Sequence, residues 1–253
     1  IPENELNEYM DKKIKEDGSP LSALNIFKGN LQALRKKYDE VSTSQIHKTF
    51  FTLKDIEKLC NEAREYHFAS VCVHPYYVSL ASKLLKDSPV AVCTVIGFPQ
   101  GMNTKEVKVF EAINAVENGA DEIDMVINIA ALKNKDYDYV KEEIEEIRDS
   151  IDGKVLKVII ETCLLDEEEI IKMTEICNET FVNFIKTSTG FSKYGARVED
   201  VELINKHKND VLEIKASGGI RTLEDAEAMI NAGSTRIGAS KGVEIMQTPS
   251  KED

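Results

Sequence analysis

Two lysines at the ends of short apolar segments are the residues of this chain best suited to covalent chemistry. Lys186 closes the run Phe184-Ile-Lys, and Lys215 closes the run Glu213-Ile-Lys. A buried ammonium group without a partner is costly and usually loses its proton, so each lysine must be either paired or reactive. If the two segments are neighbouring parallel strands, both amines reach the same end of the sheet, where each positive charge disfavours protonation of the other. That is how a lysine becomes nucleophilic near neutral pH.

A third candidate is Asp124, which lies in the apolar segment from Glu122 to Ile127. Because the side chains of a strand alternate between its faces, Asp124 shares a face with Glu122. Its carboxylate either moves protons, directly or through water, or forms a structural ion pair with an interior lysine, and the residues alone leave both roles open. On the next apolar segment, Lys157 and Glu161 share a face, and for each of them we expect a place in a structural ion pair rather than a catalytic role.

For one cysteine and one acidic segment we expect structural roles rather than catalytic ones. Cys72 is expected to be a small buried hydrophobe rather than a nucleophile. The acidic segment from Lys141 to Asp149 is expected to be a solvated helix face.

The composition limits the compartment and the partners. The chain has 253 residues and a formal net charge of -13, which argues against a general nucleic-acid binder and against docking on anionic lipid. A small anionic substrate stays open, because a local site can be positive on an acidic protein. The five cysteines form no CxxC pair and no metal-ligand spacing with the four histidines, which favours a reducing compartment and predicts a cytoplasmic protein. We find no run that could span a bilayer and no secretory signal.

The candidate residues lie in a repeating alternation of short apolar runs and amphipathic segments. Eight strands are predicted: Gln45–Thr49, Ala69–Val73, Val90–Ile96, Glu122–Ile127, Val155–Ile160, Val182–Lys186, Leu212–Ala216 and Thr235–Gly238. Strict alternation with short connections predicts a parallel sheet covered by helices, and eight repeats close a (β/α)8 barrel of the TIM type. The charged strand residues support closure, since an open sheet covered on both faces would leave them without partners.

We expect one α/β domain with two flanking segments. Residues 1–44 form an N-terminal helical extension, residues 45–245 form the barrel, and residues 246–253 form a polar tail. Helices inside the barrel are expected to begin at three capping residues, Asn103, Asp166 and Thr222, each followed three residues later by a carboxylate.

Two glycine loops stand where such barrels often hold phosphate, after the seventh and eighth strands. They are Gly218-Gly219-Ile-Arg221 and Gly238-Ala-Ser240. A glycine pair alone is more typical of a tight turn. Two loops at both expected places favour a phosphate site, because glycine lets backbone amides approach an anion closely.

Five segments together resemble the deoxyribose-phosphate aldolase family. They read Phe-Ile-Lys186-Thr-Ser-Thr-Gly-Phe, Lys157-Val-Ile-Ile-Glu-Thr, Ala-Asp-Glu-Ile-Asp124-Met-Val-Ile-Asn, Val-Ile-Gly-Phe-Pro-Gln-Gly and Lys215-Ala-Ser-Gly-Gly-Ile-Arg. They occur in the family's order and spacing between residues 45 and 245. The resemblance implies a class I aldolase that uses no metal or other cofactor. Such an enzyme reversibly cleaves 2-deoxy-D-ribose 5-phosphate to D-glyceraldehyde 3-phosphate and acetaldehyde.

The resemblance also implies a role for each candidate. Lys186 would form the Schiff base, Lys215 would keep that amine deprotonated and take part in proton transfer, and Asp124 would relay protons through water. The phosphate would be held largely by backbone amides, at Gly190, Gly218, Gly219, Arg221, Gly238 and Ser240. A homodimer is compatible with the family.

The chain departs from the family at several positions. His47 replaces the usual aspartate of the first strand, Lys241 stands where a second serine commonly follows Ser240, and Lys193-Tyr194 occupies a loop usually made of small residues. The tail also lacks the tyrosine that reaches the site in some members. Two other functions stay open: a different Schiff-base aldolase or transaldolase, and a catalytically silent barrel that serves as a scaffold.

Overall fold

Eight parallel strands close into a barrel, in which each strand pairs with the next one in sequence and β8 pairs with β1. The computed structural model describes residues 41–44 and 51–248, all in the second of the chain's two structural units, residues 40–253. The strands are β1 (Val41–Ser44), β2 (Ser70–Val73), β3 (Ala91–Ile96), β4 (Glu122–Val126), β5 (Val155–Ile159), β6 (Phe184–Lys186), β7 (Glu213–Ser217) and β8 (Arg236–Ala239). The predicted (β/α)8 barrel is confirmed.

Helices connect the strands around the barrel. Numbered along the described residues, they are α1 (Leu53–Glu65), α2 (Val78–Leu84), α3 (Lys105–Glu117), α4 (Ile129–Lys133), α5 (Tyr137–Ser150), α6 (Glu167–Glu179), α7 (Val198–His207), α8 (Leu223–Asn231) and α9 (Gly242–Gln247). Two 3₁₀ turns, Pro75–Tyr77 and Thr162–Leu164, follow β2 and β5. Within the described ranges, none of the helices combines the length and the apolarity that crossing a membrane would need.

Seven of the eight predicted strands are confirmed to within two residues at each end. The predicted first strand, Gln45–Thr49, lies outside the described residues, and β1 directly precedes it at Val41–Ser44. The predicted N-terminal helix and the last five residues of the chain also lie outside the described residues.

Two of the helices begin at capping boxes that the sequence predicted. Asp166 and Glu169 form a capping box at the start of α6, and Thr222 and Asp225 form another at the start of α8, both as predicted. The prediction of Asn103 as a cap was wrong, because α3 begins at Lys105 and its N-cap is Thr104.

The expectation of a solvated acidic face was also wrong for one residue of α5. Glu143 is buried and accepts a hydrogen bond from Lys108 Nζ of α3 at 2.7 Å. The reason is helical spacing: Glu143 shares a face with Val140, Ile144 and Ile147, which pack into the protein.

Candidate active site

Asp124 of β4 lies at the centre of a buried cluster inside the barrel. Its Oδ2 accepts hydrogen bonds from the Nζ atoms of Lys186 on β6 and Lys215 on β7, each at 2.8 Å. Its Oδ1 accepts a hydrogen bond from Lys157 Nζ on β5 at 2.9 Å. The four side chains are at most 1% exposed. Four consecutive strands therefore bring three amines to one carboxylate.

Strand register explains why the two predicted lysines meet. Lys186 pairs with Lys215 between β6 and β7, so their side chains leave the sheet on the same side. The prediction that both amines reach one place is thus confirmed. Of the four clustered residues, only Lys186 lines the cavity described below, because it is the last residue of its strand.

The charges of the cluster decide the protonation of its members. Burial has the largest influence on Lys186 and lowers its pKa, but the Asp124 carboxylate and other nearby acceptors outweigh burial, so the pKa is raised. For Asp124 the directions are reversed. Burial raises the pKa of its carboxyl group, but the three lysines together hold that pKa well below its usual value. The predicted net lowering of the pKa of Lys186 is therefore wrong for the resting cluster, where Asp124 contacts its amine.

A second carboxylate, that of Glu122, offsets part of the remaining positive charge. Lys157 Nζ also donates to Glu122 Oε2 at 2.7 Å, and Arg236 of β8 forms an ion pair with Glu122 Oε1 at 3.3 Å. The ion pair expected for Lys157 is thus confirmed, with two carboxylates of the neighbouring strand β4. Glu161 forms no ion pair with a described residue, and it accepts hydrogen bonds from the hydroxyl and the backbone N–H of Thr189.

The glycine loops form a cavity of about 570 Å³ beside Lys186. All six residues predicted to hold a phosphate line it: Gly190, Gly218, Gly219, Arg221, Gly238 and Ser240. Its lining contains the cationic residues Lys186, Arg221 and Lys241, and among the described residues that line it there is no carboxylate. The cavity is thus suited to an anion, although the whole protein is acidic.

Close backbone approach explains the need for glycine in these loops. A Cβ atom at Gly195 would lie 2.0 Å from the carbonyl oxygen of Gly218. Gly218 itself has a φ of +80°, which side chains rarely tolerate. The loops after β6 and β7 can therefore touch only where both lack side chains.

Comparison with known proteins agrees with this geometry. The family model described as "DeoC/LacD family aldolase" matches residues 35–248. The chain belongs to the DeoC/LacD aldolase family. It is 56% identical over 199 residues to a deoxyribose-phosphate aldolase of Thermoanaerobacter sp. (strain X514), covering 78% of this chain and 89% of the relative. A deoxyribose-phosphate aldolase of Staphylococcus carnosus is 57% identical over 196 residues, with 78% and 89% covered.

Solved structures show the same relationship. The structure described as "QR15, an Aldolase" superposes with a TM-score of 0.77 at 46% identity, covering 84% of this chain and 94% of that chain. A deoxyribose phosphate aldolase from Aeropyrum pernix, described as tetrameric, gives a TM-score of 0.76 at 28% identity, with 95% and 96% covered.

Two thiols lie beside the carboxylate in this DeoC/LacD aldolase. Cys93 Sγ donates to Asp124 Oδ1 at 3.1 Å, and Cys72 is buried as predicted, although its hydrogen bond with Cys93 lowers its pKa to about 7. Cys72, Cys93 and Asp124 offer three ligand atoms within 4.8 Å of one another. However, ammonium groups already occupy both carboxylate oxygens and would repel a cation, so we do not assign a metal centre to this cluster.

Proposed function

We propose that this DeoC/LacD aldolase reversibly cleaves 2-deoxy-D-ribose 5-phosphate to D-glyceraldehyde 3-phosphate and acetaldehyde through a Schiff base on Lys186. One observation supports this proposal above all. Lys186 donates a hydrogen bond to Asp124 at 2.8 Å and lines the same cavity as the six residues predicted to bind phosphate. If the glycine loops bind the phosphate group of a sugar phosphate, the aldehyde group of the same molecule can therefore contact Lys186. The relatives named deoxyribose-phosphate aldolase support this choice of substrate.

Lys186 must lose a proton before it can act as a nucleophile. Four cationic groups in the barrel interior face two carboxylates: Lys157, Lys186, Lys215 and Arg236 against Glu122 and Asp124. Loss of one proton from Lys186 therefore relieves an excess of positive charge, and Asp124 keeps Lys157 and Lys215 as partners. We assign Lys215 the role of favouring the neutral amine by its charge.

The first half of the reaction joins the substrate to the enzyme. The neutral Nζ of Lys186 attacks C1 of the open-chain aldehyde, and the carbonyl oxygen takes a proton, which gives a carbinolamine. Loss of its hydroxyl group as water leaves an iminium ion. Asp124 accepts hydrogen bonds from both Lys186 and Lys215 and can therefore relay these protons, directly or through water.

The second half breaks the carbon–carbon bond. The C3 hydroxyl gives its proton, through water, to Asp124, and the C3–O bond becomes the carbonyl of D-glyceraldehyde 3-phosphate. The electron pair of the C2–C3 bond moves into the iminium, which thereby becomes an enamine. A proton then returns to C2, and hydrolysis by water releases acetaldehyde and the free amine of Lys186.

Borohydride trapping tests this proposal. The protein is incubated with acetaldehyde and reduced, and the ethyl-amine adduct is located by peptide mass mapping. We expect one adduct, on Lys186, and none in Lys186→Ala, which should retain its fold by circular dichroism but lose turnover. An adduct on another lysine, or full activity of Lys186→Ala, would refute the mechanism. Faster cleavage of ketose phosphates than of deoxyribose 5-phosphate would favour a different aldolase.

We make further proposals about the compartment, the assembly and the domain limits of the protein. All five cysteines are free, which suits a reducing compartment such as the cytoplasm. We propose a homo-oligomer, a dimer in the simplest case, which sedimentation analysis would measure. We also propose that the catalytic domain spans residues 41–247, wider than the predicted limits of 45 and 245, because β1 begins at Val41 and α9 ends at Gln247. A chain truncated to these residues should retain activity.

A further inference from the structure

Lys241 stands out among the cavity residues, because it is a cation of the lining to which the proposed mechanism assigns no role. It follows Ser240, lines the cavity and directly precedes α9. Its side chain is 53% exposed, so it is free to reorient toward the cavity or away from it.

In the structure Lys241 is held by a carboxylate of its own chain. Its Nζ lies 2.6 Å from Oε1 of Glu244, three residues further along, and the Glu244 side chain is 55% exposed. Exposed ion pairs of this kind contribute little to stability and exchange easily. Lys58 of α1 also stabilises the Glu244 carboxylate electrostatically, so Glu244 keeps a cationic neighbour when Lys241 leaves.

We propose that Lys241 is a substrate-selecting residue that binds the phosphate dianion of the sugar, in competition with Glu244. This inference rests on the proposed function, because it assigns a role to the same cavity. A phosphate ester carries nearly two negative charges at neutral pH and offers three acceptor oxygens, whereas Glu244 carries one charge. Lys241 therefore leaves Glu244 when a phosphorylated substrate enters and stays with Glu244 when the substrate has no phosphate.

Competition between phosphate and Glu244 for Lys241 predicts different effects of replacing Lys241 and Glu244, whereas a purely structural ion pair predicts the same effect for both. If Lys241 and Glu244 merely stabilise α9, removal of either residue breaks the same pair and has the same effect on the substrate. If they compete with phosphate, Lys241→Met weakens binding of the phosphorylated substrate, whereas Glu244→Gln releases Lys241 and strengthens it.

Steady-state kinetics on the full chain distinguishes these cases, with deoxyribose 5-phosphate and unphosphorylated deoxyribose as substrates. For Lys241→Met we expect the ratio of kcat/KM between the two substrates to fall about tenfold, through KM, as for loss of a charge-assisted hydrogen bond. For Glu244→Gln we expect KM for the phosphorylated substrate to fall about threefold. Shifts of the two variants in the same direction, or no shift in Lys241→Met, would overturn the inference.

A second pair provides the matched control. Lys172 and Glu175 of α6 form an exposed pair with the same spacing at 3.1 Å, away from the cavity. Lys172→Met and Glu175→Gln should leave the substrate ratio unchanged.

Binding of inorganic phosphate, measured by calorimetry, separates failure of this inference from failure of the proposed function. It needs no turnover, so it reports on Lys241 even if deoxyribose 5-phosphate is not cleaved. The same opposite shifts in phosphate affinity for Lys241→Met and Glu244→Gln are expected, and equal affinities in both variants and the wild type would refute the role of Lys241.

Discussion

Asp124 is the residue that allows three lysines to coexist inside one barrel. A buried ammonium group is costly unless it is paired, and here each of the three has the same carboxylate within 2.9 Å. Lys157 has Glu122 as a second partner, whereas Asp124 is the sole carboxylate with which Lys186 and Lys215 form ion pairs within the described part of the chain. Asp124 therefore controls both the stability of the cluster and the protonation of the nucleophile.

Replacement of Asp124 by Asn should separate its control of the protonation of Lys186 from its role as a proton relay. The carboxylate raises the pKa of Lys186, so its removal should lower that pKa. The neutral amine then forms at lower pH. We expect the pH midpoint of borohydride trapping with acetaldehyde to move to lower pH in Asp124→Asn, while aldol cleavage is lost because the proton relay is missing.

The position of the midpoint, rather than the yield of adduct, is the quantity to compare. Asp138→Asn, an exposed carboxylate on α5, should leave the midpoint unchanged. An unchanged midpoint in Asp124→Asn would mean that Asp124 does not set the protonation of Lys186.

Among individual residues, the sequence was sufficient to predict those whose side-chain direction follows from the alternation of faces along a strand. Lys186, Lys215 and Asp124 could be predicted to point inward because each lies at a known place in a strand. The thiol of Cys93 and the Arg236 guanidinium were missed, because their partners lie on other strands and depend on how far the barrel strands are staggered. The hydrogen bond between Glu161 and Thr189 was also missed, because it joins the segments that follow two different strands, β5 and β6.

Among the elements, α3 and α5 are joined by a buried ion pair at the end of β4. Lys108 Nζ donates to Glu143 Oε1 at 2.7 Å and to the carbonyl oxygen of Val126 at 2.8 Å. Glu143 Oε2 accepts the backbone N–H of Asn128 at 3.1 Å. The pair thus fixes the end of β4, the strand that carries Asp124, to two helices.

Breaking this pair from one side should be strongly destabilising. Lys108→Met leaves the fully buried Glu143 carboxylate without its cation, which typically costs about 3–5 kcal/mol of the free energy of unfolding. The double variant Lys108→Met/Glu143→Leu removes both charges and should recover most of that loss. Urea denaturation measures both effects.

The exposed pair of Lys141 and Glu179 offers a comparison on the same helix. Lys141→Met should change the unfolding midpoint little, because water already solvates both groups. If Lys108→Met cost no more than Lys141→Met, the Lys108–Glu143 pair would not hold these elements together.

Element positions were predictable to the extent that local sequence determines them. The capping boxes at Asp166 and Thr222 fix helix starts through hydrogen bonds within one turn, so their spacing alone was sufficient. Asn103 has the same spacing to a carboxylate, but the helix begins after Thr104, whose extended backbone serves as the cap. The burial of Glu143 was missed because charge was weighed above its place on the apolar face of α5.

For the whole molecule, the acidic surface and the cationic cavity have opposite signs. A formal net charge of -13 repels anions at long range, so phosphate must be attracted locally by the cavity residues. Such attraction is screened over about 8 Å at physiological salt. The backbone amides and cationic side chains at the glycine loops can therefore act on a bound phosphate although the surroundings are negative.

Phosphate should consequently stabilise the folded protein, because the cavity exists only in the native state. A ligand at ten times its Kd adds about 1.4 kcal/mol to the free energy of unfolding, which corresponds to a rise in Tm of about 4 °C for a chain of this size. Arg221 lines the cavity from an exposed position, so Arg221→Met should fold normally and show a smaller rise. Phosphate also stabilises proteins in general by exclusion from their surface, and that effect acts equally on both proteins. Scanning calorimetry in phosphate and in sodium chloride of equal ionic strength measures the difference. The same rise in both proteins would mean that phosphate does not bind at the glycine loops.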